Sequence, residues 1–164
     1  MGKWFIFVFS LIGWLTACAP VISKQALREA DPALSFQELL RDPEAYRGRV
    51  ILLGGRILKT TLKEGETWVE VLQQPLNWQQ KPEDTDVSHG RFLVRFADFR
   101  DPAVYAAERK ITILGEVQGK KVQPIKELDY TYPVLIPRES HLWEPGTTGI
   151  PAFHFGIGVG GIIR

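Results

Sequence analysis

The stretch YRGRVILLGGRILK, residues 46–59, decides the fold of this 164-residue chain. Its aliphatic and β-branched run favours a long strand. Two adjacent glycines, Gly54 and Gly55, interrupt the run, and the pattern predicts a β-bulge or a sharp bend at that point. Because a bend of this kind lets a small barrel turn its corner, the stretch indicates an all-β domain.

Segments with strand-like patterns follow this long strand. They are residues 67–72, 91–96, 111–118 and 130–136. Period-2 alternation sends every second side chain to the same face. The side chains expected on one face of their strand are Phe92, Val94 and Phe96, then Ile111, Ile113 and Val117, and in the last strand Tyr130, Tyr132, Val134 and Ile136.

Short helices are predicted before the first strand and after the third. Ser35 and Glu38 form a capping-box signature, which predicts a helix ending near Arg41. Asp101 followed by Pro102 predicts a second helix over residues 101–108. The resulting order predicts an all-β domain with one or two short helices, an OB-fold-like five-stranded Greek-key barrel over residues 35–143. A two-sheet sandwich is the alternative.

The N-terminus carries a targeting signal. Lys3 precedes an uncharged apolar run over residues 4–15, which at about 1.5 Å per residue is too short for a permanent membrane-spanning helix. We therefore expect residues 1–17 to be a signal peptide. Leu15, Thr16 and Ala17 before the single cysteine, Cys18, resemble the lipobox of bacterial lipoproteins. The resemblance implies acylation of Cys18, and Ala19 in place of aspartate implies the outer membrane.

Both ends of the exported chain differ from its middle. Residues 18–34 contain two prolines and no sustained period, which predicts an acylated tether that holds the domain off the membrane. Residues 144–164 form a glycine-rich tail that is too apolar for a solvated linker and too rich in glycine for a stable helix. The tail is expected to cover the barrel, to dock on a membrane or partner, or to be disordered.

Short motifs in a fixed order carry a family resemblance. They are the lipobox, Tyr46-x-Gly48, Gly54-Gly55-x-Ile57, residues 67–72 leading to Pro75-Leu76, Gly90-Arg91-Phe92, residues 101–105, Thr112-x-x-Gly115 and Tyr130-x-Tyr132-Pro133-Val134. Together they resemble the Slp family of starvation-inducible outer-membrane lipoproteins. The resemblance covers residues 15 to about 143 and brings no catalytic residues. It implies a lipid-anchored envelope protein on the periplasmic face of the outer membrane.

Patterns for catalysis, metals and cofactors are weak. The histidines at positions 89, 141 and 154 lack the close spacing of metal ligands. Ser88 and His89 are adjacent but no nucleophile-elbow motif surrounds them, and Asp84 and Asp86 fit a solvated loop better than an acid/base pair. Residues 156–161 match G-x-G-x-x-G without the required strand and helix. We therefore expect no enzyme activity, metal or cofactor.

The partners expected from the sequence are an outer-membrane lipid, through the acyl anchor, and an envelope protein or glycan. The chain has 20 Lys+Arg and 19 Asp+Glu, and export together with this neutral balance argues against nucleic acid. Trp68, Phe92, Phe96 and Phe99 are accordingly expected to be core residues. The alternative function is an exported ligand-binding or hydrolytic module with its site in the loop over residues 73–90.

Overall fold

The computed structural model describes residues 21–145, so the predicted signal peptide, the lipobox with Cys18 and most of the glycine-rich tail lie outside the described residues. The helices are α1 (Lys24–Leu27) and α2 (Phe36–Arg41). The strands are β1 (Val50–Lys63), β2 (Glu66–Gln73), β3 (Arg91–Phe96), β4 (Lys110–Ile125) and β5 (Leu128–Leu142). The prediction of an all-β domain with one or two short helices is confirmed.

The five strands close into a barrel in the order β1-β2-β3-β5-β4. Neighbouring strands are antiparallel except β3 and β5, which pair in parallel through Leu93–Val134 and Val94–Leu135. This closure confirms the five-stranded barrel and is compatible with an OB-fold. It excludes the two-sheet sandwich.

Strand β1 holds the barrel together because it pairs with two neighbours in turn. Its first half pairs with β4 and its second half with β2, and Gly55 belongs to both ladders. A Cβ atom on Gly55 would lie 1.9 Å from the carbonyl oxygen of Leu72. The glycine is therefore required for close approach of two backbones. The predicted bulge is displaced, because the register shift falls between Ile57 and Lys59.

The interior of the barrel is filled by side chains. Ile57, Phe92 and Ile113 are fully buried there. Helix α2 adds Phe36 and Leu39 to the same core, and the Phe36 and Phe92 rings meet edge to face with centroids 5.9 Å apart. The predicted capping box at Ser35 and Glu38 is present, so local sequence fixes the helix that packs against the core.

The helix predicted over residues 101–108 is wrong, because this segment forms turns. The carboxylate of Asp101 accepts a bond from the backbone N–H of Ala103, as an initiating turn requires. Glu108 then adopts a positive φ of 72°, and its N–H donates to the carbonyl of Ile57 at 2.9 Å. The hydrogen bond from Glu108 to Ile57 of β1 therefore takes the place of the bonds that would continue a helix.

Residues 21–34, predicted as part of a tether, instead pack on the barrel. Ile22 is fully buried and contacts Val50 and Leu114 on the outer face of β1 and β4. The backbone N–H of Asp31 donates to the carbonyl of Val50 at 2.8 Å. Polar partners fix both ends of the segment, since Ser23 bonds Glu139 and Asp31 pairs with Arg49.

The last strand carries a second apolar cluster on the outside of the barrel. Tyr132 and Val134 share a side, as predicted, and bury themselves against Leu93 with Trp68 partly buried beside them. The barrel core receives Leu135 instead. Two of the aromatic residues expected in the core therefore lie elsewhere, because Trp68 belongs to this outer cluster and Phe99 is 65% exposed.

Candidate functional site

A groove of about 380 Å³ lies between the β1–β2 hairpin and the far half of the β4–β5 hairpin. We call it the Trp68 groove. Its lining combines aromatic, basic and hydrogen-bonding side chains. They are Lys59, Thr61, Lys63, Trp68, Glu70, Leu93, Lys121, Gln123, Pro124 and Tyr132.

The bulge in β1 places its lysines on this groove. Ile57 points into the core, and strict alternation would send Lys59 and Lys63 to the same side. The extra residue between Ile57 and Lys59 reverses that parity. Lys59, Thr61 and Lys63 consequently line the outer groove instead of entering the barrel.

The opposite wall comes from the β4–β5 hairpin, where Lys121 is paired with Tyr132. The Lys121 Nζ atom lies 3.8 Å from the centroid of the Trp68 ring, within the range of a cation–π interaction. Burial, reinforced by the charge of Lys63, lowers the pKa of Lys121, while Glu64 and Glu66 act in the opposite direction. The groove therefore holds one partly desolvated ammonium group, with a second cation and two carboxylates nearby.

The acidic group of the groove is already engaged. Glu70 accepts a hydrogen bond from the Tyr132 hydroxyl at 3.0 Å and pairs with Arg91 at 2.8 Å. Burial and the bond to Glu70 raise the pKa of Tyr132 to about 12. The phenol thus remains a neutral hydrogen-bond donor at ordinary pH.

A second cleft, of about 440 Å³, borders the loop over residues 73–90. Its polar edge includes Gln37, whose Nε2 lies 3.0 Å from Nδ1 of His89. The Ser88 hydroxyl bonds the backbone of Gly90, so Ser88 and His89 have separate partners. Their arrangement supplies no nucleophile–base contact for the hydrolytic alternative.

The 73–90 loop is fastened to the outer face of the sheet. The Thr112 hydroxyl donates to the carbonyl of Gln80 at 2.6 Å, and the ammonium of Lys110 contacts both the Pro82 carbonyl and Asp84. The bond from Lys110 lowers the pKa of Asp84. Asp84 is thus a solvated carboxylate, as predicted, with its side chain 93% exposed, and it also pairs with Lys110 at the edge of the loop.

The predicted site residues, Leu15 to Cys18, lie outside the described residues, and the two histidines within residues 21–145 lie apart. His141 stacks edge to face on Trp143 with centroids 4.6 Å apart, whereas His89 contacts Gln37 on α2. Within residues 21–145, no group of three His, Cys, Asp or Glu side chains is placed to hold a metal ion. In the same part of the chain, neither helix is long and apolar enough to cross a bilayer.

The sequence analysis does not predict the Trp68 groove, because it expects the Trp68 side chain to be buried in the core. A usable signal was present in the alternating residues Lys59, Thr61 and Lys63, which form a polar row along a strand. The row predicts an exposed strand face. Lys121, on the opposite wall of the groove, lies 58 residues beyond Lys63 in the sequence. Only the folded hairpins bring these side chains together.

Comparison with known proteins identifies two relatives and one protein family. A Haemophilus influenzae protein named "Uncharacterized protein" is 34% identical over 149 residues, covering 90% of this chain and 80% of the relative. An Escherichia coli K12 protein named "Uncharacterized lipoprotein YeaY" is 22% identical over 74% of this chain and 62% of the relative. No solved structure matches significantly. Residues 15–152 match the family model, and the chain therefore belongs to the outer membrane lipoprotein Slp family.

Proposed function

We propose that this outer membrane lipoprotein is anchored through acylated Cys18 and presents its barrel to the periplasm. The main support for this proposal is that the single cysteine directly follows Leu15, Thr16 and Ala17. The family match begins at residue 15, and the E. coli relative is named a lipoprotein. Ala19 after the cysteine supports the outer rather than the inner membrane.

Acylation suits a domain that must stay at a membrane surface. Each buried CH₂ group contributes about 0.8 kcal/mol, and a single chain binds only reversibly. A thioether-linked diacylglycerol plus an acyl chain on the new amino group would supply several chains at one residue. The barrel itself would then need no membrane-binding face.

The packed segment over residues 21–34 determines how far the barrel can lie from this anchor. Ile22 is four residues beyond Cys18 and is fully buried on the barrel. Four residues reach at most about 14 Å when extended. The protein would therefore hold its barrel close to the bilayer, which replaces the long spacer predicted from composition.

The role we propose is non-enzymatic presentation of a binding surface, acting under starvation or envelope stress. Ser88 and His89 have separate hydrogen-bond partners, and Asp84 is committed to Lys110. In contrast, the Trp68 groove gathers basic and aromatic groups at one surface. This contrast favours binding of an envelope component over hydrolysis.

The test is Cys18→Ser in the full chain, expressed in a Gram-negative host. We expect an uncleaved, unacylated precursor, because a hydroxyl does not accept the diacylglycerol in this processing route. Ala17→Gly is the matched control, since it keeps a small residue and should be processed. Mass spectrometry of the membrane fraction distinguishes the forms. Mature acylated protein from Cys18→Ser would refute the proposed anchor.

A further inference from the structure

The Trp68 groove carries an excess of positive charge, which Glu64 and Glu66 offset only at a distance. Lys59, Lys63 and Lys121 line it, and none has an ion-pair partner among residues 21–145. The lining carboxylate, Glu70, is occupied by Arg91 and by the Tyr132 hydroxyl. An incoming anion would thus meet three ammonium groups without displacing an existing ion pair, and their attraction must exceed the repulsion from Glu64 and Glu66.

The position of Lys121 supports a role in binding. Its ammonium lies over Trp68, and burial with the nearby charge of Lys63 lowers its pKa. The Trp68 ring and the carboxylates of Glu64 and Glu66 offset part of the cost of holding this charge. An anion placed between Lys63 and Lys121 would stabilise the charge further. Binding sites commonly combine perturbed ionisable groups in this way.

The shape and chemistry of the groove limit the class of anion. A volume of about 380 Å³ lies at the lower end of the range for small-molecule sites. Lysine ammonium groups suit a phosphate as compact point charges. The side chains of Thr61 and Gln123 offer hydrogen bonds to hydroxyl groups, and Trp68 offers an aromatic face.

We propose that the Trp68 groove binds a phosphorylated sugar, with the phosphate among Lys59, Lys63 and Lys121. The sugar hydroxyls face Thr61 and Gln123. Lys121 moves from the Trp68 ring to the phosphate, and the apolar face of the sugar takes its place on the indole. This binding is independent of Cys18 and of acylation.

The experiment titrates the full chain, purified in non-ionic detergent, with glucose 1-phosphate and follows binding by calorimetry. We expect saturable binding, weaker binding of inorganic phosphate and none of glucose. Lys63→Gln and Lys121→Gln should each weaken affinity about tenfold, because each removes one charge-assisted bond. Lys24→Gln is the matched control, since Lys24 is exposed on α1 outside the groove, and it should leave affinity unchanged.

Vesicles distinguish a soluble ligand from a lipid headgroup. Phosphatidylcholine vesicles carrying a phosphorylated glucosamine glycolipid should bind the wild-type chain and lose binding with Lys121→Gln if the sugar phosphate is lipid-borne. Saturable binding of soluble glucose 1-phosphate that is lost with the same variant supports the groove equally. Equal binding to phosphatidylglycerol vesicles, or equal loss with Lys24→Gln, would overturn the proposal in favour of general electrostatic attraction. Failure of both phosphorylated probes would also overturn it.

Discussion

The barrel has two outer faces that the chain treats in opposite ways. On β1 and β4, residues 21–34 cover the face with Ile22, and their two carboxylates form ion pairs, Glu29 with Arg138 and Asp31 with Arg49. On β1 and β2, beyond the bulge, the Trp68 groove keeps Lys59 and Lys63 without ion-pair partners among residues 21–145. One face is therefore closed by the chain itself, whereas the other retains lysines without ion-pair partners among the described residues.

The two faces differ in how they treat buried and charged groups. The covered face satisfies the general rule that apolar surface packs on apolar surface and that nearby charges find partners. The groove departs from it, because Lys121 is half-buried and lies near another cation. Departures of this kind are typical of functional sites.

The largest effect is expected at Gly55, where β1 passes from the covered half to the open half. Gly55→Val should lower the free energy of unfolding by about 3 kcal/mol or more, because overpacking here forces two strands apart. The new Cβ would lie 1.9 Å from the Leu72 carbonyl oxygen. Chemical denaturation of the full chain in detergent measures the loss. Thr61→Val, at an exposed position of the same strand, is the control and should change the free energy of unfolding by less than about 0.5 kcal/mol. Equal losses in the two variants would contradict the close approach of the β1 and β2 backbones at Gly55.

A smaller loss is expected when the covered face is weakened. Ile22→Ala should cost about 2 kcal/mol, since it leaves a cavity against Val50 and Leu114. Amide hydrogen exchange should show faster opening of residues 21–34 than of the barrel. Val122→Ala, at a 52% exposed position, is the control and should change little. Unchanged protection in Ile22→Ala would show that the segment does not depend on this contact.

The smallest effect is expected from acidification of the covered face. Bonds from the N–H of Ala33 and from Arg49 lower the pKa of Asp31, and bonds from Ser23 lower the pKa of Glu139. A lowered folded-state pKa means that each carboxylate stabilises the fold above its ordinary value of 3.8 or 4.5 and loses this contribution as pH falls below it.

Hydrogen exchange of residues 21–34, expressed as protection factors, measures this acid effect. Protection should fall below pH 4.5 before the barrel strands lose theirs. A double variant, Asp31→Asn with Glu139→Gln, should already show the reduced protection at neutral pH. Simultaneous loss of protection in the segment and in β3 would instead indicate a single cooperative unit.

The sequence predicted the barrel well because its strands alternate regularly. The pattern at Phe92, Val94 and Phe96 follows directly from the two-residue period, and all three are buried. The prediction of a helix over residues 101–108 was wrong, because the hydrogen bond between Glu108 and Ile57 outweighs the local preference for a helix. The sequence also failed at Ile22, because composition cannot reveal an apolar partner surface formed by strands further along the chain.

The row of Lys59, Thr61 and Lys63 signals an exposed strand face, but the complete groove could not be predicted from the sequence, for a related reason. A single-residue bulge reverses the orientation of Lys59 and Lys63, and the sequence marks no bulge at that position. The pairing of Lys121 with Trp68 depends further on how the β4–β5 hairpin bends. Sites assembled from hairpins distant in sequence depend on tertiary geometry that local patterns do not contain.

If Cys18 carries the proposed acyl anchor, the packed residues 21–34 hold the barrel next to it. Neutron reflectometry of the acylated mature chain on a supported bilayer measures the separation directly. We predict protein density beginning within about 14 Å of the headgroups, the reach of the four residues from Cys18 to Ile22. A hydrated gap approaching roughly 55 Å, the extended length of residues 18–34, would show that the segment is a free tether and would contradict the account.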